Sequence, residues 1–376
     1  MMLPVINPIL RTIARILTFL LYIATLIAAF GGRVNPEIST LPAMMVLVLP
    51  WLAIATAVVA AIWIICRRYI TGGLGALTIF LAISPILTAC PVSFSKNPDP
   101  DGKTFTLLTY NTTNGTDLRH PDNQQGCPAY EYVLRSGSGA DIAVLQESRG
   151  WTPQLIKNLT PELRDSLFKK YPYHSSPDKF FDKQVLSKYP MKPVPPERYL
   201  PDDYDMRTIA FYEVDIDGRK LTIANVHLLS PGLSENERDV VKEMASVKNT
   251  RAGVSEMKHS VYGKMRSSFR KRKQDAENLR QALDRVKGDL IVCGDFNDVP
   301  ESYAYRLIRG DDLRDAYAET GFGPMVTYNL NLMWFHIDQV LYRGDNLRAL
   351  SVKKGDIKAS DHYPLTVEFE YTPKKK

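Results

Sequence analysis

The sequence predicts an α/β domain whose sheets are covered on their outer faces by helices, preceded by a helical membrane region. Three observations support this fold class. The first 95 residues carry few charges and contain three long apolar stretches. Beyond them, apolar runs of strand length recur along the chain, and amphipathic helical patterns lie between some of these runs. Strands and helices in this arrangement are typical of sheets packed against helices.

The overall composition is that of a folded protein. The chain has 376 residues, of which 45% are hydrophobic and 23% are charged, so it is not a disordered polypeptide as a whole. It contains 4 cysteines, and their spacing resembles neither a zinc site nor a disulfide framework. The formal net charge of +6 suits an anionic partner or a membrane surface without identifying either.

Residues 1–95 are predicted to form a membrane region with three transmembrane helices, at about 14–32, 43–66 and 73–90. Crossing a bilayer takes about 20 apolar residues, and each stretch approaches that length. A cleaved signal peptide would account for the first stretch alone. The lipid bilayer is therefore an expected partner of this chain, contacted through three spans.

The charges that flank these stretches predict their orientation. Arginines stand before the first stretch and after the second, at positions Arg11, Arg15, Arg67 and Arg68. The intervening loop carries only Arg33 and Glu37. Because positively charged ends remain on the cytoplasmic side, we expect a cytoplasmic N-terminus and an extracytoplasmic remainder of the chain.

A linker rich in Pro, Asp and Gly at 96–103 is predicted to separate the membrane region from a second domain at 104–376. Strands are predicted at 104–111, 141–147, 207–216, 219–228, 289–295, 337–343 and 364–370. Asp217-Gly218 between two of these runs indicates a hairpin. Helices are predicted at 128–135, 161–170 and about 266–286.

Polar residues stand at the ends of the predicted strands, where active sites are commonly assembled. They are Asn111, Glu147, His227, Asp295, Asn297, Asp338, Asp361 and His362. Taken alone, each short motif is usually only a turn. Their order and their repeated position at strand ends indicate that they converge on one cleft.

The residue types in this set suit a divalent metal. Glu147 and Asp361 are hard oxygen ligands for Mg²⁺ or Mn²⁺, and Asn111 could add a neutral oxygen. A metal held in this way keeps several waters and binds phosphate oxygens. The set therefore predicts a metal site that acts on a phosphate ester.

The remaining residues suit proton transfer and charge stabilisation. Asp295 and Asn297 could orient and deprotonate an attacking water. His227 and His362 could donate hydrogen bonds to phosphoryl oxygens as negative charge develops there. A carboxylate such as Asp338 behind His362 would fix the tautomer of the imidazole and raise its pKa.

The ordered motifs resemble those of the endonuclease/exonuclease/phosphatase superfamily, which has the DNase-I-like fold. They are Thr-Tyr-Asn111, Leu-Gln-Glu147, Leu-Ser-Lys-Tyr-Pro at 186–190, Asn-Val-His227-Leu, Gly-Asp295-Phe-Asn297-Asp, His-Ile-Asp338-Gln-Val-Leu and Ser-Asp361-His362. The resemblance covers about 105–371 and implies a four-layer αββα sandwich of two mixed sheets. It also implies Mg²⁺-dependent hydrolysis of a phosphoester by in-line attack of water. Either Asp295 or His362 could be the general base.

Two departures from the family pattern are visible. The segment 181–185 (FDKQV) stands where many members have a Gly-rich approach. The membrane region lies outside the shared domain and resembles the anchors of bacterial members of the family. The expected location is therefore the bacterial inner membrane.

The substrate remains open at this level. A basic run, Arg270, Lys271, Arg272 and Lys273, could bind substrate phosphates, or it could be a solvated helix face. The leading hypothesis is a membrane-anchored phosphodiesterase or phosphatase. The alternatives are an extracytoplasmic nuclease that degrades DNA or RNA, and an inactive, membrane-tethered binding module.

Overall fold

The computed structural model describes residues 8–115, 117–118, 127–135, 139–148, 160–175, 182–200, 208–232, 253–330 and 333–372. The membrane region forms five helices, which are α1 (Pro8–Phe30), α2 (Leu41–Val46), α3 (Leu49–Ile65), α4 (Tyr69–Leu81) and α5 (Ile83–Ala89). A 3-10 turn, Gly31–Arg33, continues α1. Helix α1 packs on α3, where Thr25 Oγ1 and Thr56 Oγ1 lie 2.7 Å apart.

Among the described residues, one helix is long and apolar enough to cross a membrane by itself. It spans Pro8–Arg33, with a mean hydropathy of 2.2 in its most apolar window. Helices α4 and α5 pass the same test only as a pair, bent by 61° at the break between them. Helix α3 is apolar but has only 17 residues. Three continuous spans, as the sequence predicted, are therefore not found.

Proline explains both interruptions. A proline ring clashes with the carbonyl four residues earlier and supplies no N–H donor. Pro50 lies four residues after Val46, where α2 ends, so the predicted span at 43–66 is divided between α2 and α3. Pro85 lies four residues after Leu81, where α4 ends, and divides the predicted span at 73–90 in the same way.

The second domain contains two six-stranded mixed sheets. Their strands are β1 (Lys103–Asn111), β2 (Ile142–Gln146), β3 (Tyr173–His174), β4 (Gln184–Ser187), β5 (Met191–Val194), β6 (Ile209–Ile216), β7 (Arg219–His227), β8 (Asp289–Asp295), β9 (Arg314–Asp315), β12 (Asp338–Arg343), β13 (Leu347–Lys354) and β14 (Leu365–Tyr371). The first sheet has the order β13-β14-β1-β2-β4-β3 and the second β5-β6-β7-β8-β12-β9. A separate ribbon pairs β10 (Tyr328–Leu330) with β11 (Met333–Phe335).

The two sheets face each other, and helices cover their outer faces. Between the sheets, Phe105 and Phe369 of the first pack with Tyr212 and Ile291 of the second. The outer helices are α6 (Pro128–Arg135), α7 (Pro161–Lys170), α8 (Gly253–Arg285) and α9 (Tyr303–Arg309). A short helix, α10 (Ala316–Thr320), contributes Ala316 to the cluster between the sheets. Helices α6 and α7 share a buried cluster with the first sheet, and α8 and α9 share one with the second. The predicted fold of two mixed sheets between helices is confirmed.

Local sequence explains several of these elements. The hairpin between β6 and β7 turns at Asp217 and Gly218, whose φ angles are 51° and 85°. Two positive φ angles match the type I′ turn that joins twisted antiparallel strands. Helix α7 begins after Thr160, whose Oγ1 accepts a hydrogen bond from the Leu163 N–H at 3.2 Å. Helix α8 begins earlier than the sequence pattern predicted, at Gly253.

Candidate active site

The two sheets bring the carboxyl ends of their central strands to the same edge. Strands β1 and β2 are parallel, and Asn111 is the register partner of Gln146, the residue before Glu147. Strands β7 and β8 are also parallel, and there His227 is the partner of Asp295. The antiparallel strand β12 places Asp338 opposite the same Asp295. Strand register alone thus sets three of the predicted residues side by side.

Asp295 lies at the centre of the site and is 1% exposed. One carboxylate oxygen accepts a hydrogen bond from the Asn297 backbone N–H at 2.7 Å. The other accepts from the side-chain amides of Asn297 at 3.1 Å and Asn111 at 3.0 Å. Burial raises the pKa of Asp295, the His362 side chain opposes that rise, and Asp338 adds to it. Hydrogen bonds therefore fix the position of the Asp295 carboxylate, and its proton affinity is greater than that of a solvated carboxylate.

His362 is buried between two carboxylates. Its Nδ1 lies 2.9 Å from Asp338 Oδ2, and its Nε2 lies 3.6 Å from Asp295 Oδ2. Burial lowers the pKa of His362, but Asp338 and then Asp295 outweigh that effect and raise it to about 10. The Tyr328 ring contacts the imidazole edge to face, with the centroids 5.1 Å apart. His362 is therefore a positively charged donor at neutral pH.

His227 has a carboxylate partner that the sequence did not predict. Its Nδ1 lies 2.8 Å from Asp182 Oδ2, and Asp182 also pairs with Lys183 at 2.5 Å. Burial lowers the pKa of His227, but the Asp182 hydrogen bond and the Asp295 charge together raise it above its ordinary value. Burial opposes ionisation of Asp182, yet His227 and Lys183 lower its pKa to about 2. Asp182 stands two residues before β4, but no pattern in the sequence links this acid to His227.

Glu147 and Asp361 lie at the open side of the site and line one cavity with Asp295 and His362. Glu147 Oε1 accepts from the Asn111 side-chain amide at 3.2 Å and lies 3.7 Å from His227 Nε2. The φ angle of Glu147 is 46°, a conformation that a non-glycine residue rarely adopts and that often marks a functional position.

Asp361 is held by residues that the sequence did not single out for a role. Its Oδ1 accepts a hydrogen bond from Thr113 Oγ1 at 2.8 Å. Thr113 Oγ1 also lies 2.6 Å from Ser360 Oγ, and Ser360 donates to the Asn111 carbonyl at 2.8 Å. These hydrogen bonds connect the loop before β14, which carries Asp361, to the end of β1 at Asn111.

Two carboxylate groupings could hold a cation. Asp295, Asp338 and His362 offer ligand atoms within 4.8 Å of one another. In this grouping Nδ1 of His362 is already hydrogen-bonded to Asp338. The second grouping is Glu147 and Asp361, which line the cavity and offer oxygen ligands of the kind that hard divalent cations bind.

Asn111 contacts two of the site carboxylates. Its amide nitrogen donates to the Glu147 and Asp295 carboxylates, while its oxygen accepts from the Thr113 N–H at 3.1 Å. In this arrangement Asn111 bridges the two carboxylates through its amide nitrogen.

The sequence of residues 108–362 matches the endonuclease/exonuclease/phosphatase family. The chain belongs to this family. Its members are typically phosphoester hydrolases that use divalent metals. The resemblance predicted from the ordered motifs is therefore confirmed. No curated protein sequence gives a significant match to the chain.

Three of the solved structures that are similar to this chain are as follows. Beta toxin from Staphylococcus aureus is 12% identical, with a TM-score of 0.42, covering 70% of this chain and 99% of that one. Truncated TDP2 from Caenorhabditis elegans is 15% identical, with a TM-score of 0.43 and coverages of 71% and 97%. Sphingomyelinase C from Streptomyces griseocarneus is 16% identical, with a TM-score of 0.40 and coverages of 71% and 99%. Identities this low do not identify a substrate.

Of the four predicted substrate-binding cations of α8, Arg272 lines the cavity of the site, and three of the four are engaged in ion pairs. Arg272 is buried and pairs with Asp298 at 3.2 Å. Arg270 pairs with Glu37 of the membrane region at 3.3 Å. Lys273 pairs with Glu277 on its own helix at 2.9 Å, and Lys271 is exposed.

Proposed function

We propose that this protein is a metal-dependent phosphoester hydrolase held at a membrane, acting by in-line attack of water on a phosphoryl group. The observation that carries the proposal is the pairing of Asp338 with His362 beside the buried Asp295, in the same cavity as Glu147 and Asp361. This arrangement places a positively charged imidazole (His362), a buried carboxylate that could act as the base (Asp295) and two further carboxylates (Glu147 and Asp361) around one cavity. A site that had lost its activity would not need to keep this set.

The site residues differ in charge, and each chemical role follows from that charge. Glu147 and Asp361 would hold Mg²⁺ or Mn²⁺, which when bound would neutralise charge on the phosphoryl oxygens. His362, positively charged at neutral pH, donates from Nε2 to a phosphoryl oxygen as charge builds in the transition state. Because His362 already carries its proton, it is poorly suited to be the base. Asp295 is the better base, since burial raises its proton affinity, and Asn297 orients the water.

His227 would act from the opposite side of the same cleft. Asp182 holds its Nδ1, so its Nε2 faces Glu147 and Asp295. A raised pKa keeps this imidazole charged over a wider pH range, which suits hydrogen bonding to a second phosphoryl oxygen or to the leaving group.

We further propose that α1, α3 and the bent pair α4–α5 each cross the bilayer. The contact between Arg270 and Glu37 supports this, because Glu37 lies in the α1–α2 loop and must share a side with the catalytic domain. Three crossings satisfy that requirement, and the flanking arginines then favour a cytoplasmic N-terminus. By the same charges, the catalytic domain would lie outside the cytoplasm, at a bacterial inner membrane.

The decisive experiment measures turnover by the purified full chain in lipid nanodiscs. We expect Mg²⁺- or Mn²⁺-dependent hydrolysis of bis-p-nitrophenyl phosphate, abolished by a chelator. His362→Ala and Asp295→Asn should each reduce the rate by about 10²- to 10⁴-fold. Asp345→Asn, an exposed acid outside the site, is the matched control. Full activity in both site variants, or the absence of any metal-dependent turnover, would refute the proposal.

A further inference from the structure

We propose that residues 44–48 of the membrane region form one wall of the substrate site and, with α8, hold the hydrocarbon part of an amphipathic phosphoester drawn from the bilayer. The inference rests on the proposed phosphoester hydrolysis and deepens it by naming a substrate class. It also gives the membrane region a part in substrate selection in addition to anchoring.

The wall is visible in the cavity beside the candidate active site, which has a volume of about 560 Å³. The polar part of its lining contains the carboxylates and imidazole described above. The apolar part includes Met44, Leu47 and Val48 from the membrane region and Val261, Met265 and Phe269 from α8. An apolar cavity with a few convergent polar groups is typical of a ligand site.

The wall belongs to the segment 31–48, which follows α1 and includes α2. Contacts at the beginning and in the middle of this segment hold it against the catalytic domain. A Cβ added to Gly32 would lie 1.8 Å from the Glu301 carbonyl oxygen, so only glycine permits this approach. Further along, Glu37 pairs with Arg270 of α8 at 3.3 Å.

The end of the segment packs directly behind the site. Val46 is 1% exposed and forms a buried cluster with Val299 and Ile337. Ile337 immediately precedes Asp338, and Val299 follows Asn297 by two residues. The position of the apolar wall is thus tied to the backbone that carries the site residues.

The chemistry of the wall points to hydrocarbon. A small polar phosphoester would leave these apolar side chains against water, which is unfavourable in proportion to their area. Val48 directly precedes α3, so the wall is continuous in the chain with a helix that we propose crosses the membrane. A nucleic acid is less suitable, because Arg270 and Arg272 beside the cavity are already paired with Glu37 and Asp298.

A chain-length series tests the inference without any substitution. The full chain in nanodiscs is given alkyl p-nitrophenyl phosphodiesters from methyl to dodecyl, each below its micelle-forming concentration, with Mg²⁺ or Mn²⁺. We expect kcat/KM to rise by about two- to fourfold for each added methylene until the cavity is full. Equal values for the methyl and dodecyl esters would overturn the hydrocarbon wall alone. No turnover of any ester would overturn the proposed function with it, and faster cleavage of single-stranded DNA would favour a nuclease.

Matched substitutions locate the effect. Met44→Gln and Met265→Gln should each lower the dodecyl-to-methyl ratio of kcat/KM by about tenfold or more. A ratio is unaffected by a general loss of active protein, so misfolding cannot imitate this result. Leu41→Gln, at a 59% exposed position outside the cavity, should leave the ratio unchanged. An equal fall of the ratio in all three variants would overturn the assignment of the wall.

Discussion

His362 and Asp338 form a buried pair, with Nδ1 of the imidazole 2.9 Å from one carboxylate oxygen. The pair joins the turn before β14 to the start of β12, and both side chains are less than a tenth exposed. The second oxygen of Asp338 has no hydrogen-bond partner among the described residues. One carboxylate oxygen of Asp338 therefore holds the His362 imidazole in position.

We predict that Asp338→Asn shifts the alkaline limb of activity to lower pH. The pKa of His362 is raised to about 10, so a rate that needs its proton is complete at neutral pH and falls as pH rises through that value. An amide supplies no charge, so the pKa of His362 should fall towards 6.5. The measurement is kcat/KM for bis-p-nitrophenyl phosphate from pH 6 to 10, with His362 followed by NMR. An unchanged pH profile in this variant would show that Asp338 does not hold the proton.

We predict that Asp182→Asn lowers the pKa of His227 and reduces kcat/KM by about 10- to 100-fold at pH 7.5. The Asp182 hydrogen bond is the largest effect that keeps the pKa of this imidazole raised, and it is lost in the variant. Activity should partly recover at lower pH, as the weakened imidazole regains its proton. Asp165→Asn, an exposed acid on α7, is the control. Equal loss at all pH values would indicate a structural role for Asp182 instead.

We predict that Glu147→Gln and Asp361→Asn raise the metal concentration needed for half-maximal activity by about tenfold or more. Removing a carboxylate ligand weakens a hard cation site directly. The check is a Mg²⁺ and Mn²⁺ titration of activity, with isothermal titration calorimetry of metal binding. Asp338→Asn distinguishes the two possible groupings, because it should leave metal affinity unchanged. A larger loss of affinity in Asp338→Asn than in Glu147→Gln would place the metal at Asp295, Asp338 and His362.

The sequence was informative where a side chain closes an apolar run. Asn111, His227 and Asp295 could be placed together because each closes a predicted strand, and active sites are commonly assembled at strand ends. The two mixed sheets were predicted from the resemblance to the family, and strands such as β4 and β13 were not predicted. Strand β13 ends in two lysines at its exposed end, so its pattern is only partly apolar.

The features that the sequence did not predict depend on contacts between distant residues. His227 and Asp182 are 45 positions apart, and Arg270 and Glu37 are 233 positions apart. No local pattern specifies which of several exposed acids will meet a given histidine or arginine. The broken membrane helices are a different case, because Pro50 could have been read as a helix boundary.

We predict that Gly32→Ala loosens the segment between α1 and α2 from the catalytic domain. The new Cβ would overlap the Glu301 carbonyl oxygen, and overpacking of this kind costs about 1–3 kcal/mol. Hydrogen exchange of residues 34–48 should therefore become faster. Gly73→Ala is the matched control, since a Cβ there meets nothing within 4 Å. Identical exchange in both variants would mean that the close approach at Gly32 does not hold the segment.

We predict that Ile38 and Asp345 face the same side of the membrane, and that Cys66 faces the other. Ile38 lies in the α1–α2 loop and is 82% exposed, while Cys66 is an exposed free cysteine between α3 and α4. A membrane-impermeant maleimide should label Ile38→Cys and Asp345→Cys in intact spheroplasts, in a background that carries Cys66→Ser and Cys90→Ser. Native Cys66, in a background with Cys90→Ser alone, should react only after the membrane is permeabilised. Labelling of Cys66 in intact spheroplasts would contradict the three crossings, because α3 would then not separate it from the catalytic domain.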